Sequence, residues 1–199
     1  MSLISRVTNI TLRPKEEWPV IAAEPATAGS LYTGLIIPLA AIGPVCSFLS
    51  ALAFGHRIPF TGIAVHVAVS GLFGAMVVSY LLNLVAVAVT AFIVQKLAPS
   101  FASTGDFAQS LKLVAYSQAP FWVAGVLYLI PFLGILAILV GLYSLYLAYL
   151  GLSPVMKTPP DKVVPYLIVV IVVSVVLWFA VAAISGALIG AGMIARGMA

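Results

Sequence analysis

The chain has 199 residues, of which 63% are hydrophobic and only 7% are charged, and its mean hydropathy is +1.22. Soluble domains carry roughly 25% charged residues, so this composition excludes a water-soluble globular protein. The net charge is +4, but no basic run is interleaved with aromatic residues, so a nucleic-acid partner is not expected. These values predict an all-α polytopic membrane protein with a single transmembrane domain.

Residues 1–30 form a short arm before the first apolar stretch. The apolar residues of its first half fall on one helical face, with Arg6 elsewhere on the helix; they are Leu3, Ile4, Val7 and Ile10. This pattern predicts an amphipathic helix that lies on the cytoplasmic leaflet as a tether. Pro14 suits the first position of a second short helix. Trp18 is expected to anchor that helix among the lipid headgroups.

Apolar stretches without charge predict five transmembrane helices in residues 31–199. A helix needs about 20 residues to cross the hydrocarbon. Two of the stretches are longer than this but too short for two crossings, so these helices should tilt or project from the bilayer. The predicted spans are about 31–54, 63–94, 113–133, 135–152 and 163–195. The connection between the third and fourth spans, at about residues 130–134, is very short and carries no charge, which predicts a tight hairpin.

The basic residues predict the orientation of the chain. With five spans and the N-terminus inside, seven of the nine basic residues lie in cytoplasmic segments, and Arg57 and Arg196 lie outside. Basic residues are enriched on the cytoplasmic side of membrane proteins. The sequence therefore predicts a cytoplasmic N-terminus and an external C-terminus in the cell (inner) membrane.

Reactive side chains are scarce within the predicted spans. None contains an Asp, Glu, Lys or Arg near its middle, and His66 is the only histidine in a span. His66 and His56 without cysteine or carboxylate partners make a poor metal site. We therefore expect no catalytic residue, no metal and no cofactor, and an enzyme is not the favoured interpretation.

Two polar or irregular features lie within the predicted spans. Asn83 is near the middle of the second span, where it could line a solute path or, more commonly, hydrogen-bond a neighbouring helix. In the first span Pro38 and Pro44 each remove a backbone donor and disturb the preceding turn. A broken helix can form a substrate or ion site, although a packed kink is the more usual outcome.

Small residues recur at four-residue spacing in two spans. Such spacing lets helix backbones approach closely, so helix packing within the chain or between copies is the main interpretation. The candidate packing residues are Gly71, Ala75 and Ser79 in the second span, and Ala182, Gly186 and Gly190 in the fifth.

The stretch AYSQAPFWV, residues 115–123, opens the third predicted span. Pro120 is expected in the first turns, where a missing amide proton matters little. Tyr116 can keep its hydroxyl at the membrane interface, and Gln118 can bond backbone groups that the proline leaves free. These three residues are candidate motif positions.

The same stretch resembles the Gly-Tyr-x-x-x-Pro-type motif of the Yip family, the Ypt/Rab-interacting membrane proteins. Ala115 stands where glycine is usual, and Tyr116 and Pro120 follow. The run LYLIPFLGILAILVGLYSLYLAYLGLSPVMKTPPDK resembles the bacterial branch of that family, as does the Pro-Lys-Glu-Glu-Trp segment before the first span. The resemblance covers most of the chain and implies a membrane-embedded five-helix fold.

The resemblance also bears on function. Eukaryotic relatives are associated with Rab-type GTPases, vesicle budding and membrane shaping. Their Asp-Leu-Tyr-Gly-Pro-like segment is missing from this sequence. We therefore expect a non-enzymatic protein that organises membrane or acts as a scaffold, with lipid, other membrane proteins or further copies of itself as partners. The alternative is a channel or transporter for a small solute, ion or lipid.

Overall fold

The structure is a computed structural model, and it describes residues 2–57, 64–65 and 68–197. Within these ranges the chain is almost entirely helical. The α-helices are α1 (Leu3–Leu12), α2 (Pro14–Ala23), α3 (Ala28–Leu31), α4 (Ile37–Ala40), α5 (Ile42–Phe54), α6 (Val69–Leu97), α7 (Phe107–Ala124), α8 (Leu136–Met156) and α9 (Pro160–Gly197). Two short strands, β1 (His56–Arg57) and β2 (Ala64–Val65), pair antiparallel with His56 opposite Val65.

Four helical segments within the described residues are long and apolar enough to cross a membrane. They are Ala28–Phe54, Val69–Phe101, Leu139–Met156 and Pro160–Ala187. These correspond to the first, second, fourth and fifth predicted spans. The third predicted span, 113–133, is not among them, so the count of five remains a prediction. Its helix, α7, is mostly buried among the other helices, and a helix shielded in this way can carry more polar residues than one that faces lipid.

The first apolar segment is interrupted where its prolines predict a break. A π-helical turn at Tyr32–Ile36 precedes α4, in which Pro38 is the second residue. The helix then breaks at Ala41, and α5 begins with Pro44 as its third residue. A proline lacks an amide proton and cannot complete the regular pattern of hydrogen bonds. The two interruptions therefore follow from local sequence.

Helix α7 begins earlier than expected, which changes the position of Pro120. The side chain of Asp106 accepts a hydrogen bond from the backbone N–H of Gln109 at 2.8 Å. It thereby caps a helix that starts at Phe107. Pro120 is therefore well inside α7 and not in its first turns, so that expectation is wrong. Its ring leaves the carbonyl of Tyr116 without the usual amide donor. The α-helix ends four residues later and continues as a 3-10 turn at Gly125–Leu129.

The buried core is concentrated at the end of the bundle that carries the arm. Its members come from the arm, from residues 31–40, from α7, from the C-terminal halves of α6 and α8, and from the N-terminal part of α9. Trp18 is only 1% exposed, so the expectation that it anchors among headgroups is wrong. Its indole packs on Leu113 and Gly151 because that glycine leaves space for the ring.

Helix packing arranges the bundle in two closely packed pairs. α7 lies along α8, although residues 125–135 connect them and this connection is longer than the predicted hairpin at 130–134; α6 lies along α9. The 3-10 turn after α7 crosses α5 at two glycines, Gly125 and Gly43, whose backbones are in contact. Between these contacts the helices leave two cavities that several of the predicted polar residues line.

Candidate functional site

A buried ion-pair cluster holds the two helices of the arm together. Arg6 in α1 pairs through one guanidinium nitrogen with Glu17 in α2, and through the other with Glu24 just after α2. The side chains of Arg6 and Glu17 are 8% and 7% exposed, whereas that of Glu24 is 48% exposed. Burial by itself lowers the pKa of Arg6, but the hydrogen bonds and charges of Glu24 and Glu17 outweigh it and raise that pKa. The guanidinium therefore stays charged at any physiological pH.

Lys112 joins the arm to α7 at the same place. Its ammonium donates hydrogen bonds to the carbonyl oxygens of Ile21, at 3.0 Å, and of Glu24. These carbonyls belong to the end of α2, where helices leave acceptors unpaired and where positive charge is favourable. Burial lowers the pKa of Lys112, and the charges of Glu24 and Asp106 oppose that shift only in part.

The predicted motif residue Tyr116 lies beside this cluster. It is one helical turn after Lys112 on α7, and it is half-buried against the core. Its hydroxyl is within electrostatic range of Arg6, Glu17 and Glu24. The opening of α7 thus connects the folded arm to the interior of the bundle.

A cavity of about 310 Å³ begins next to this region, between α6, α7, α8 and α9. Ligand pockets commonly measure about 300–1,000 Å³. The predicted residues Asn83 and Gln118 both line it, and none of the described residues in its wall is charged. The wall is mainly aliphatic, with Leu113, Leu152 and Leu167 among its members.

The polar side chains of the first cavity differ in whether they have partners. The hydroxyls of Thr90, Ser144 and Ser174 each donate to the carbonyl four residues earlier in the same helix, at 2.8, 3.1 and 2.8 Å. The buried Oδ1 of Asn83 and Oγ of Ser117 have no hydrogen-bond partner in the described part of the chain. Buried polar atoms rarely lack a hydrogen-bond partner in folded proteins.

A second cavity of about 330 Å³ adjoins the first, toward the end of the bundle away from the arm. Asn83 lines both cavities, as do Phe121, Trp178 and Val181. The second cavity also contains two further buried polar atoms that lack a partner among the described residues, Nε1 of Trp122 and Oγ of Ser185.

Some of the predicted packing residues line the second cavity, and another, Gly186, lies at an open position. Ala75 is buried, and Ser79 donates to the carbonyl of Met76 at 2.9 Å; both line the second cavity. Ala182 lines that cavity as well, whereas a Cβ on Gly186 would meet no atom within 4 Å. Gly71 is half-buried in α6, and Gly190 is in the C-terminal part of α9. Their role in packing remains a prediction.

The other predicted positions are dispersed. Pro44 lines the second cavity, whereas Pro38 is in α4 and is not part of either cavity wall. His66 lies outside the described residues, so its place as a candidate polar position remains a prediction. Within the described residues, no three His, Cys, Asp or Glu side chains lie together in a way that could hold a metal ion.

Several residues of the site were not identified from the sequence. The charged residues that fold and attach the arm are Arg6, Glu17 and Lys112. From the sequence, the two basic residues indicated only the orientation of the chain in the membrane, and Glu17 indicated only the start of a helix. Ser117 lies between two predicted motif residues, but no sequence pattern distinguished it from them. One cue was available: Ser117 and Asn83 are both polar in otherwise apolar segments.

Comparisons with known proteins give one match. A family model described as the Yip1 domain matches residues 8–194, which is almost the whole chain. No curated protein and no solved structure matches.

Proposed function

Since this chain belongs to the Yip1 family, and hence is a multi-pass membrane protein, we propose that it acts as a non-enzymatic scaffold that organises the membrane or its proteins. It resides in the cell (inner) membrane with its N-terminus in the cytoplasm and its C-terminus outside. Its partners are lipid, other membrane proteins or further copies of itself, and nucleic acid is not among them.

The observation that carries this proposal is the folded arm. The Arg6 cluster joins α1 to α2, and the hydrogen bonds of Lys112 fix the end of α2 against α7. Tyr143 adds a third attachment, because its hydroxyl donates to the carbonyl of Thr11 at 2.6 Å. Side chains such as Thr8, Lys15 and Glu16 remain exposed on the arm. A partner would therefore meet a preformed surface, and binding would not require the arm to become ordered.

Photo-crosslinking from the arm tests the scaffold. A photoreactive residue at Lys15 in native membranes should give discrete protein adducts, either with another protein or with a second copy of the chain. Those adducts should weaken when Arg6→Met breaks the ion pairs that fold α1 onto α2 and so alters the surface of the arm. A matched Arg13→Met variant should leave them unchanged, because Arg13 is exposed. Adducts with lipid alone, or adducts insensitive to Arg6→Met, would contradict the proposal.

A second candidate function is a channel or carrier for a small solute, ion or lipid. It is favoured by the two adjoining cavities, which share Asn83 at the middle of α6. Flux through reconstituted vesicles, reduced by Asn83→Leu and unchanged by Ser174→Ala, would support this role over the scaffold. Vesicles that remain tight to ions, small solutes and lipid would eliminate it.

A further inference from the structure

The first cavity opens sideways on the outer surface of the bundle. Val175 and Trp178 in α9 belong to its wall, yet they are 46% and 61% exposed. In a membrane protein, such an apolar outer surface faces hydrocarbon. An occupant can therefore enter the cavity from the lipid phase.

One polar residue of this cavity, Asn83, is deep in the membrane. Asn83 is the middle residue of α6 and is about 21 Å from either end of that helix at 1.5 Å per residue. Ser117 is only 4% exposed, and its Oγ has no partner in the described part of the chain. An unpaired buried polar group costs roughly 1–3 kcal/mol, so a molecule that bonds both Asn83 and Ser117 would be stabilised there.

The cavity wall restricts the chemistry of that molecule. None of the described wall residues is charged, and a phosphate or ammonium group at this depth would lack a counter-charge. A hydroxyl group suits either atom, because it can donate to Oδ1 of Asn83 or accept from the hydroxyl of Ser117. The aliphatic wall contributed by Leu113, Leu152 and Leu167 suits a hydrocarbon chain.

We propose that the first cavity is a binding site for an uncharged, single-chain lipid that carries a hydroxyl group, held by Asn83 and Ser117. The site is distinct from the surface of the arm, and it does not depend on the scaffold role. It also requires no transport, because binding alone satisfies the two buried polar atoms.

The test uses the full-length protein in phospholipid nanodiscs and a long-chain alcohol with a diazirine in its chain. The alcohol should label peptides of α6 or α7 saturably. Its methyl ether, which cannot donate to Asn83, should label about two- to tenfold less at the same concentration, as expected for one lost hydrogen bond. A phosphate monoester of the same chain should label no more than background.

Four variants separate binding from folding. Asn83→Leu and Ser117→Ala should each reduce labelling by the alcohol about two- to tenfold. Ser174→Ala should leave it unchanged, because that wall hydroxyl is already bonded to the Val170 carbonyl. Gly141→Leu should abolish labelling by filling the cavity, since a Cβ at Gly141 meets only the Phe121 ring, at 3.8 Å. The midpoint of thermal unfolding identifies any variant that fails to fold.

Three results would overturn the inference. They are equal labelling by the alcohol and its ether, labelling that Asn83→Leu and Ser117→Ala leave unchanged in folded protein, and absence of saturable labelling. The last result would indicate that water or phospholipid chains fill the cavity.

Discussion

Gly151 in α8 lies against the indole ring of Trp18 in α2, so closely that a Cβ on the glycine would come within 2.7 Å of Cζ2 of the ring. The same Cβ would be 2.7 Å from Cδ1 of Leu113. No side chain fits at this position unless the arm moves. Gly151 therefore leaves the space on α8 that Trp18 of the arm occupies.

Substitution of this glycine should loosen the arm. Gly151→Ala should lower the free energy of unfolding by about 1–3 kcal/mol, because overpacking forces the rigid indole to shift. Denaturant unfolding measures the stability, and the rate of proteolysis at residues 1–30 measures release of the arm. Gly74→Ala is the control, since a Cβ there meets no atom within 4 Å. Equal effects of the two substitutions would contradict the packing described for Trp18.

The buried charge of Arg6 should be needed for α1 and α2 to stay folded against each other. Arg6→Met leaves Glu17 buried without its partner, and loss of one member of a buried ion pair typically costs about 3–5 kcal/mol. Proteolysis of the arm and denaturant unfolding should both reveal this loss. Arg13→Met should change neither measurement, because Arg13 is exposed.

A double substitution distinguishes the ion pair from simple packing of the arginine. Arg6→Met combined with Glu17→Met removes both charges, so it should be less destabilising than Arg6→Met alone. Additive losses in the double variant would show that the two charges do not interact as described.

The crossing of α5 and the turn after α7 should depend on glycine. A Cβ on Gly125 would lie 2.7 Å from the Cα of Gly43, and backbone atoms cannot rotate away as a side chain can. Gly125→Ala should therefore lower the free energy of unfolding by about 1–3 kcal/mol. Gly186→Ala, at an open position, should not destabilise the protein. An unchanged free energy of unfolding for Gly125→Ala, measured with denaturant, would contradict the close contact of these two backbones.

Local signals in the sequence predicted much of the helical framework. The start of α2 at Pro14 and the interruptions near Pro38 and Pro44 follow from the conformational limits of proline. The position of Pro120 in its helix was mispredicted because the capping role of Asp106 was overlooked. An N-terminal Asp cap is a recognised start signal, so this boundary could have been found from the sequence.

The docking of the arm could not be predicted in the same way. A helical-face pattern assigns Arg6 to the polar side of α1, which is the solvated side when a helix lies on a membrane. In the structure that side meets Glu17, which is 11 residues away, and α7, which is far along the chain. Contacts between residues so far apart in the sequence depend on tertiary packing, which a local helical pattern does not predict. For the same reason, Asn83 was identifiable as an unusual polar residue, whereas the cavities around it were not.

The most direct test of the proposed cytoplasmic orientation of the arm and of its docking is maleimide labelling of two single-cysteine variants, Thr8→Cys and Ile10→Cys. In both, Cys46, the only native cysteine, is replaced by serine. Thr8 is exposed on α1, whereas Ile10 is 0% exposed. A membrane-impermeant maleimide should label neither variant in intact cells. After permeabilisation it should label Thr8→Cys rapidly and Ile10→Cys at least about tenfold more slowly, as expected if exposure of Ile10 requires opening worth about 1.4 kcal/mol or more. Labelling of Thr8→Cys in intact cells would contradict the orientation, and equal labelling of the two variants after permeabilisation would contradict the docking of the arm.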